Sequence, residues 1–207
     1  MDEQEVKAPQ TAPEQSEHTE QGVPGRDLYE WVSSLVGAVL VIVLIFTFIA
    51  RMMGVQGPSM QPTLVEGDRL IVLSSALAGE YRRGDIVIAR KESFDPEPIV
   101  KRVIALAGQT VDIDFDRGIV YVDGQALEED YVNDLTYKDE GTSFPLTVPE
   151  GEVFLMGDNR NRSTDSRDTR IGTVDERELI GKAIFLVFPG KDPMTEQRDF
   201  KRIGALG

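Results

Sequence analysis

The chain opens on polar residues, crosses one long apolar run, and then breaks into short apolar segments separated by turns. Residues 1–27 are rich in Glu, Gln, Pro, Thr and Ser and nearly lack large apolar side chains. Such a segment cannot offset its ordering entropy by burial, so a disordered acidic tail is expected over 1–27. From Trp31 to Ala50 (WVSSLVGAVLVIVLIFTFIA) no charge interrupts the chain. About 20 helical residues, rising about 1.5 Å each, cross a hydrocarbon core of roughly 30 Å. Tyr29 and Trp31 suit an interfacial aromatic anchor at one end, and Arg51 closes the other. The pattern predicts a transmembrane anchor over 28–51. No amphipathic stripe marks a buried core helix. A cleaved signal peptide is disfavoured by the long acidic stretch before the run and by FIARMM, which offers no small-x-small site. Arg26 on one side against Arg51 and Arg69 on the other leaves orientation unsettled by charge.

Beyond residue 65 the pattern changes to short runs rich in β-branched residues: RLIVL (69–73), DIVIAR (85–90), IVKRVIALA (99–107), TVDID (110–114), GIVYV (118–122), VFLM (153–156) and KAIFLVF (182–188). Gly67-Asp68, Gly84-Asp85, Gly108-Gln109, Asp123-Gly124 and Glu150-Gly151 supply turns between them. IVYV-DG-QAL reads as a hairpin, and only DEREL (175–179) suggests a helical turn. The fold class expected is mainly β. One N-terminal transmembrane helix leads into an antiparallel sheet, open or barrel-like, over 52–207. Residues 129–148, polar with scattered aromatics, read as an insertion or small cap.

Composition narrows the chemistry. A formal charge of −14 argues against nucleic acid, which needs a basic face. With no cysteine, disulfides, thiolate catalysis and cysteine-ligated metals are excluded. The single histidine, His18, lies in the tail, so a serine nucleophile would need a different base.

One candidate is the serine of GPSMQPT (57–63), where Pro58 and Pro62 stiffen the loop beside a Met60 that reads as exposed. Its bland reading is a linker serine capping a turn. A serine hydroxyl is a poor nucleophile until a neighbouring base takes its proton. Without histidine the base is a carboxylate or a neutral lysine, and lysine serves only if burial lowers its pKa. Of seven lysines, Lys101 is best placed, inside the otherwise apolar run 99–106. Strand periodicity points Lys101 and Arg102 to opposite faces, one towards the interior, without saying which. Only the lysine can lose its proton. Its bland reading is an edge-strand charge that discourages aggregation, and Lys182 is the alternative base.

The third feature is MGDNRNRSTDSRD (156–168), a dense polar loop following a strand. A solvated loop is one reading, and a calcium site another. Four arginines between 160 and 170 would repel a cation, and EF-hand spacing is missing. An Asp165–Arg167 pair bracing a site floor, with Ser163 available to a buried amine, is more coherent.

Together these stretches resemble the bacterial type I signal peptidase family, which removes signal peptides from exported preproteins. The similarity runs from the apolar segment to about residue 190. It comprises SMQPTL (59–64), GDRLIV (67–72), RRGDIVIAR (82–90), VKRVIALAGQTV (100–111) and MGDNRNRSTDSRDTRIGTV (156–174), in family order. The resemblance implies Ser59 as acylating nucleophile and Lys101 as general base, with Ser163 orienting the lysine and Asp165 and Arg167 as a supporting ion pair. It gives Asp158 and Arg160 structural roles, and places Met60, Leu64, Ile99 and Val100 beside small substrate pockets. Where some members carry a serine that helps bind the oxyanion, this chain has Gly57, as Gram-positive-type members do. The oxyanion region then rests on Gly57 and the Ser59 backbone. The single anchor also resembles that type.

The resemblance further implies a membrane-bound serine endopeptidase cutting after small-x-small sequences through an acyl-enzyme, with no metal or other cofactor. Its partners would be exported preproteins and the lipid bilayer, near the secretion translocon. The N-terminus would be cytoplasmic and the catalytic domain extracytoplasmic. Two rival readings are a self-cleaving Ser–Lys protease resembling the SOS-response repressors, and a tethered β-domain that only binds exported proteins. The anchor and the missing DNA-binding domain count against the first, while tolerance of Ser59→Ala would mark the second.

Overall fold

The structure, a computed structural model, describes residues 26–91, 94 and 96–206. The tail expected to be disordered lies outside the described residues as far as residue 25, as does His18. The chain divides into two compact units, residues 1–41 and 42–207.

The helix α1, Arg26–Leu44, continues directly into a π-helical turn, Ile45–Ile49. Consecutive residues from Val39 to Phe46 are all exposed, so no polar face exists over that stretch. Among the described residues no helix is long and apolar enough to cross a membrane. The apolar run is shared between α1, the π-helical turn and the first residue of a strand. Ala50 and Arg51, expected to end an anchor, are therefore strand residues. They belong to β1 (Ala50–Gly54), whose backbone pairs with residues 69–73, Ala50 opposite Leu73.

After β1 come β2 (Arg69–Ser74), β3 (Ile86–Ala89), β4 (Ile99–Leu106), β5 (Thr110–Asp114), β6 (Ile119–Val122) and β7 (Gln125–Ala126). They are followed by β8 (Leu146–Thr147), β9 (Glu152–Met156), β10 (Val174–Asp175), β11 (Leu179–Phe188) and β12 (Gly204–Ala205). The main sheet is antiparallel in the order β1-β2-β11-β3-β4-β9-β10, with β12 added to β11. A second sheet, β7-β6-β5-β8, is inserted in sequence between the paired strands β4 and β9. The DG hairpin forms as expected, with Val122 opposite Gln125 and Asp123 at φ +53. Residues 129–148 carry no regular element except β8.

Three apolar clusters hold these layers. One joins β2, β3 and β11 to the loop after β1, a second lies around Val87, Val103 and Leu155, and a third joins the second sheet to Ile104 and Phe154. β4 contributes to both of the latter and pairs with strands on both sides. Burial on both faces explains its nearly continuous apolar run. It also removes the edge-strand reading of Lys101.

Candidate active site

Ser59 sits on the loop from β1 to β2, and several contacts fix that loop. Val55 N–H donates to Asp68 O at 2.9 Å, closing its ends. The fully buried Asp68 carboxylate accepts from Val65 N–H (2.8 Å), Gly190 N–H (2.6 Å) and Arg202. Within the loop, Met60 and Leu64 are 1% and 0% exposed and pack with Val55, Leu70, Ile88 and Leu186. Met60, expected to face outward, is thus a core residue, because the loop folds back over the sheet and spends its apolar side chains there. Gly57 has φ +73, a left-handed conformation that glycine adopts without a Cβ penalty.

Opposite the loop, Lys101 lies on β4 across from Val87. Its amine donates to Ser59 Oγ at 2.9 Å, and the residue is 4% exposed. Burial lowers its pKa from 10.5 to about 8. Asp165 and Glu140 pull it upward, while Arg167 pushes it down and Asp158 raises it. Lys182, the alternative base, points elsewhere and pairs with Asp85 at 2.6 Å.

Sequence periodicity turned one of Lys101 and Arg102 inward; the fold buries both. Arg102 grips the Asp158 carboxylate with two nitrogens, at 2.8 and 2.7 Å, and donates to Gly84 O at 2.8 Å. Its guanidinium lies 4.0 Å from the Tyr131 ring centre. Tyr131 comes from the segment expected to be a cap, which therefore covers the second face of β4.

The loop after β9 joins these parts. Asn159 donates from its backbone to Ser59 O and from its side chain to Pro58 O, both at 3.0 Å. Asp158 also accepts from Thr63, so one carboxylate links β4 to the serine loop. Arg160 pairs with Glu129 and donates to Thr136 at 2.9 Å. Asp165 and Arg167, both fully buried, form a two-pronged pair at 2.8 and 2.9 Å. Burial opposes the charge on Asp165, but Arg167 and the Gly157 N–H more than offset it and hold its carboxyl below the usual range. Ser163 Oγ is buried and lies near enough to Asp165 to help hold that carboxyl down, but it makes no well-formed hydrogen bond, and none to the Lys101 amine. Gly157 shows how tightly the loop meets the serine. A Cβ there would lie 2.3 Å from Ser163 Oγ and 2.5 Å from Ser59 O.

Beside the Ser59–Lys101 contact runs a groove of about 470 Å³, walled by Met52–Gly54 on β1 and Pro98–Val100 leading into β4. These strands are four places apart in the sheet, so the sheet must curl strongly to bring them together. Ile99 and Val100 line this groove; Met60 and Leu64 are instead in the core beside it. Among the described residues β1 pairs only with β2, leaving its other edge unpaired. Sequence reading gives Asp158 a structural role by resemblance but not its partners Arg102 and Tyr131, and it gives no role to Asn159, Glu140 or the Asp68–Arg202 tie. Only the adjacent cations of Lys101-Arg102 signalled the first of these partners.

A curled antiparallel β domain holding a hydroxyl against a buried amine, beside an open strand edge, has the parts that a peptide-bond hydrolase needs: a nucleophile, a base and a place for an extended chain. The family can be stated more narrowly. Residues 28–188 match the model of the signal peptidase family, peptidase S26. A signal peptidase I of Bacillus licheniformis is 38% identical over 170 residues, covering 78% of this chain and 89% of that protein. A probable signal peptidase I-1 of Synechocystis is 36% identical, covering 80% and 85%. A crystal structure of a signal peptidase I from Enterococcus faecalis is similar over 50% of this chain and 96% of that one, at 32% identity and a TM-score of 0.41. On the family match and the sequence identities, the chain belongs to the signal peptidase family and is an enzyme of the signal peptidase I type.

Proposed function

We propose that this chain is a membrane-anchored endopeptidase that removes signal peptides from exported preproteins with a Ser59–Lys101 dyad. The observation that carries the reading is the 2.9 Å contact between the Ser59 hydroxyl and a buried amine with pKa near 8. In its neutral form the amine accepts the hydroxyl proton, reversing the direction of that hydrogen bond. Ser59 Oγ then attacks the substrate carbonyl carbon, and the oxyanion is met by backbone N–H groups at Ser59, with Gly57 leaving room. The C–N bond breaks, and the leaving amine takes the proton from Lys101. Water, deprotonated by Lys101, hydrolyses the ester, releasing the signal peptide and restoring Ser59.

The end of the signal peptide adds as a strand to the open edge of β1. Small side chains enter the groove beside Ile99 and Val100, giving small-x-small specificity, while Met60 and Leu64 support it from the core. Asp165 and Arg167 brace the floor, and Ser163 orients the amine once substrate is bound. The segment 28–51, through its apolar run, anchors the chain in the bilayer, with the N-terminus cytoplasmic and the domain from residue 52 extracytoplasmic, near the translocon. No cofactor takes part.

The test is reconstitution of the full chain in lipid with a preprotein ending its signal in Ala-x-Ala. Wild type should cut after the second alanine, and Ser59→Ala and Lys101→Ala should not. Near-normal turnover by Lys101→Ala would sink the dyad.

A further inference from the structure

A second concavity of about 600 Å³ lies in the β unit, away from the Ser59 groove. Its lining includes Arg51 at the start of β1, Arg90 and Lys91 beyond β3, Arg177 before β11, and Ser74 and Ser75 at the end of β2. Antiparallel register gathers them on one end of the sheet, since Ala50 faces Leu73, Gly181 faces Ser74 and Leu179 faces Ala89. That is the end at which the chain enters the sheet from its apolar run. Four cations meet one lining carboxylate, Glu178, in a chain whose net charge is −14. Lys91 pairs with Glu178 at 2.9 Å, and Arg177 pairs with Asp175. Among the described residues no carboxylate forms an ion pair with Arg51 or Arg90, so within the described lining these two guanidinium groups face the concavity without such a partner.

We infer that this groove binds the phosphate of an anionic lipid headgroup. Guanidinium forks match phosphate oxygens in pairs, and the two serine hydroxyls add donors. The inference rests on the proposed anchor, because Arg51 directly follows residues 31–50. With that run in the bilayer, Arg51 falls at headgroup depth, where basic side chains meet lipid phosphates. A free anion could satisfy the same donors, but it would lack the acyl chains that hold a headgroup at this depth.

The test uses the full chain in neutral detergent micelles, titrated with phosphatidylglycerol, phosphatidylcholine or inorganic phosphate while thermal unfolding is followed. A ligand that binds only the folded state raises the midpoint. Phosphatidylglycerol should raise it, and phosphatidylcholine should not. Each basic side chain near an anionic lipid surface typically contributes about fivefold in affinity. Arg51→Gln with Arg90→Gln should therefore weaken the response roughly thirtyfold, and Arg51→Lys with Arg90→Lys should largely restore it. An unchanged response in the glutamine variant overturns the site. Equal protection by inorganic phosphate overturns the lipid assignment. Two controls separate this from the proposed function: Ser59→Ala should keep the lipid response, and the glutamine variant should still partition into neutral vesicles through its apolar run.

Discussion

Lys101 and Arg102 are neighbours on β4, equally buried, and their surroundings send them in opposite directions. On one face Arg102 meets a carboxylate in two places, a carbonyl and an aromatic ring. It can shed no proton, and its charge is fully matched. On the other face the Lys101 amine meets a single hydroxyl, with its nearest carboxylates felt only at a distance. Burial without a contacting anion favours the neutral amine, and a neutral amine is a base. The chemical character of a buried cation is thus decided by what its head group touches, and the strand's two-residue period lets both outcomes occur side by side.

The sharpest way to break this contrast is Lys101→Met. Removing a general base typically costs about 10²–10⁴-fold, and a base acting in both acylation and deacylation belongs at the upper end. The fold should not suffer. The folded pKa is about 8 against 10.5, so between those values the unfolded chain binds more protons and wild-type stability rises with pH. Below pH 8 the full cost of burying the amine is present, on the order of 3 kcal/mol. The methionine variant should therefore be more stable than wild type at neutral pH, by up to that amount, and should lose the rise between pH 8 and 10.5. Urea unfolding at several pH values reads both. A destabilised variant would mean that the amine is held by contacts other than Ser59. For wild type, activity should climb through pH 8 as the amine discharges.

Arg102→Met attacks the other face. It leaves Asp158 buried without its partner, a loss of about 3–5 kcal/mol, visible as a large fall in the urea midpoint. Because Asp158 also accepts from Thr63, the serine loop should loosen and turnover fall as a secondary effect. Adding Asp158→Leu removes the stranded charge and should recover much of the stability. If the single variant stays as stable as wild type, the Arg102 side is not the structural half of the pair.

Much of this was legible in the chain. Turn residues and β-branched runs located β2 to β6 within a residue or two, since a short strand between Gly/Asp turns has few other ways to fold. The absence of histidine from the domain, together with the apolar setting of Lys101, singled out the pair that the fold brings to 2.9 Å. What escaped depends on distant contacts. Met60 read as exposed because two prolines flank it, and only the loop's return over β2 and β11 buries it. Arg102 read as the alternative to Lys101 because nothing near it in sequence announces Tyr131 or Asp158, which lie 29 and 56 positions on. Strand pairing between β4 and β9 closes the second separation and the return of the 129–148 segment closes the first, and a two-residue period can report neither.

The finest test concerns the carboxylates that Lys101 feels without touching. Glu140, from the segment over the polar loop, pairs with Lys138 at 2.6 Å and lies 3.9 Å from Arg167. Its charge holds the Lys101 pKa up, against the effect of burial. Glu140→Gln should therefore move the acidic limb of the pH–rate profile downward, with the plateau at high pH unchanged. Glu140 acts without contact and counts for less than burial and Asp165, so the displacement should be small. A merely structural role would lower the plateau instead. An acidic limb that stays in place, or moves up, would mean that Glu140 does not hold the amine's pKa up, and that the opposition to burial comes from Asp165 and Asp158.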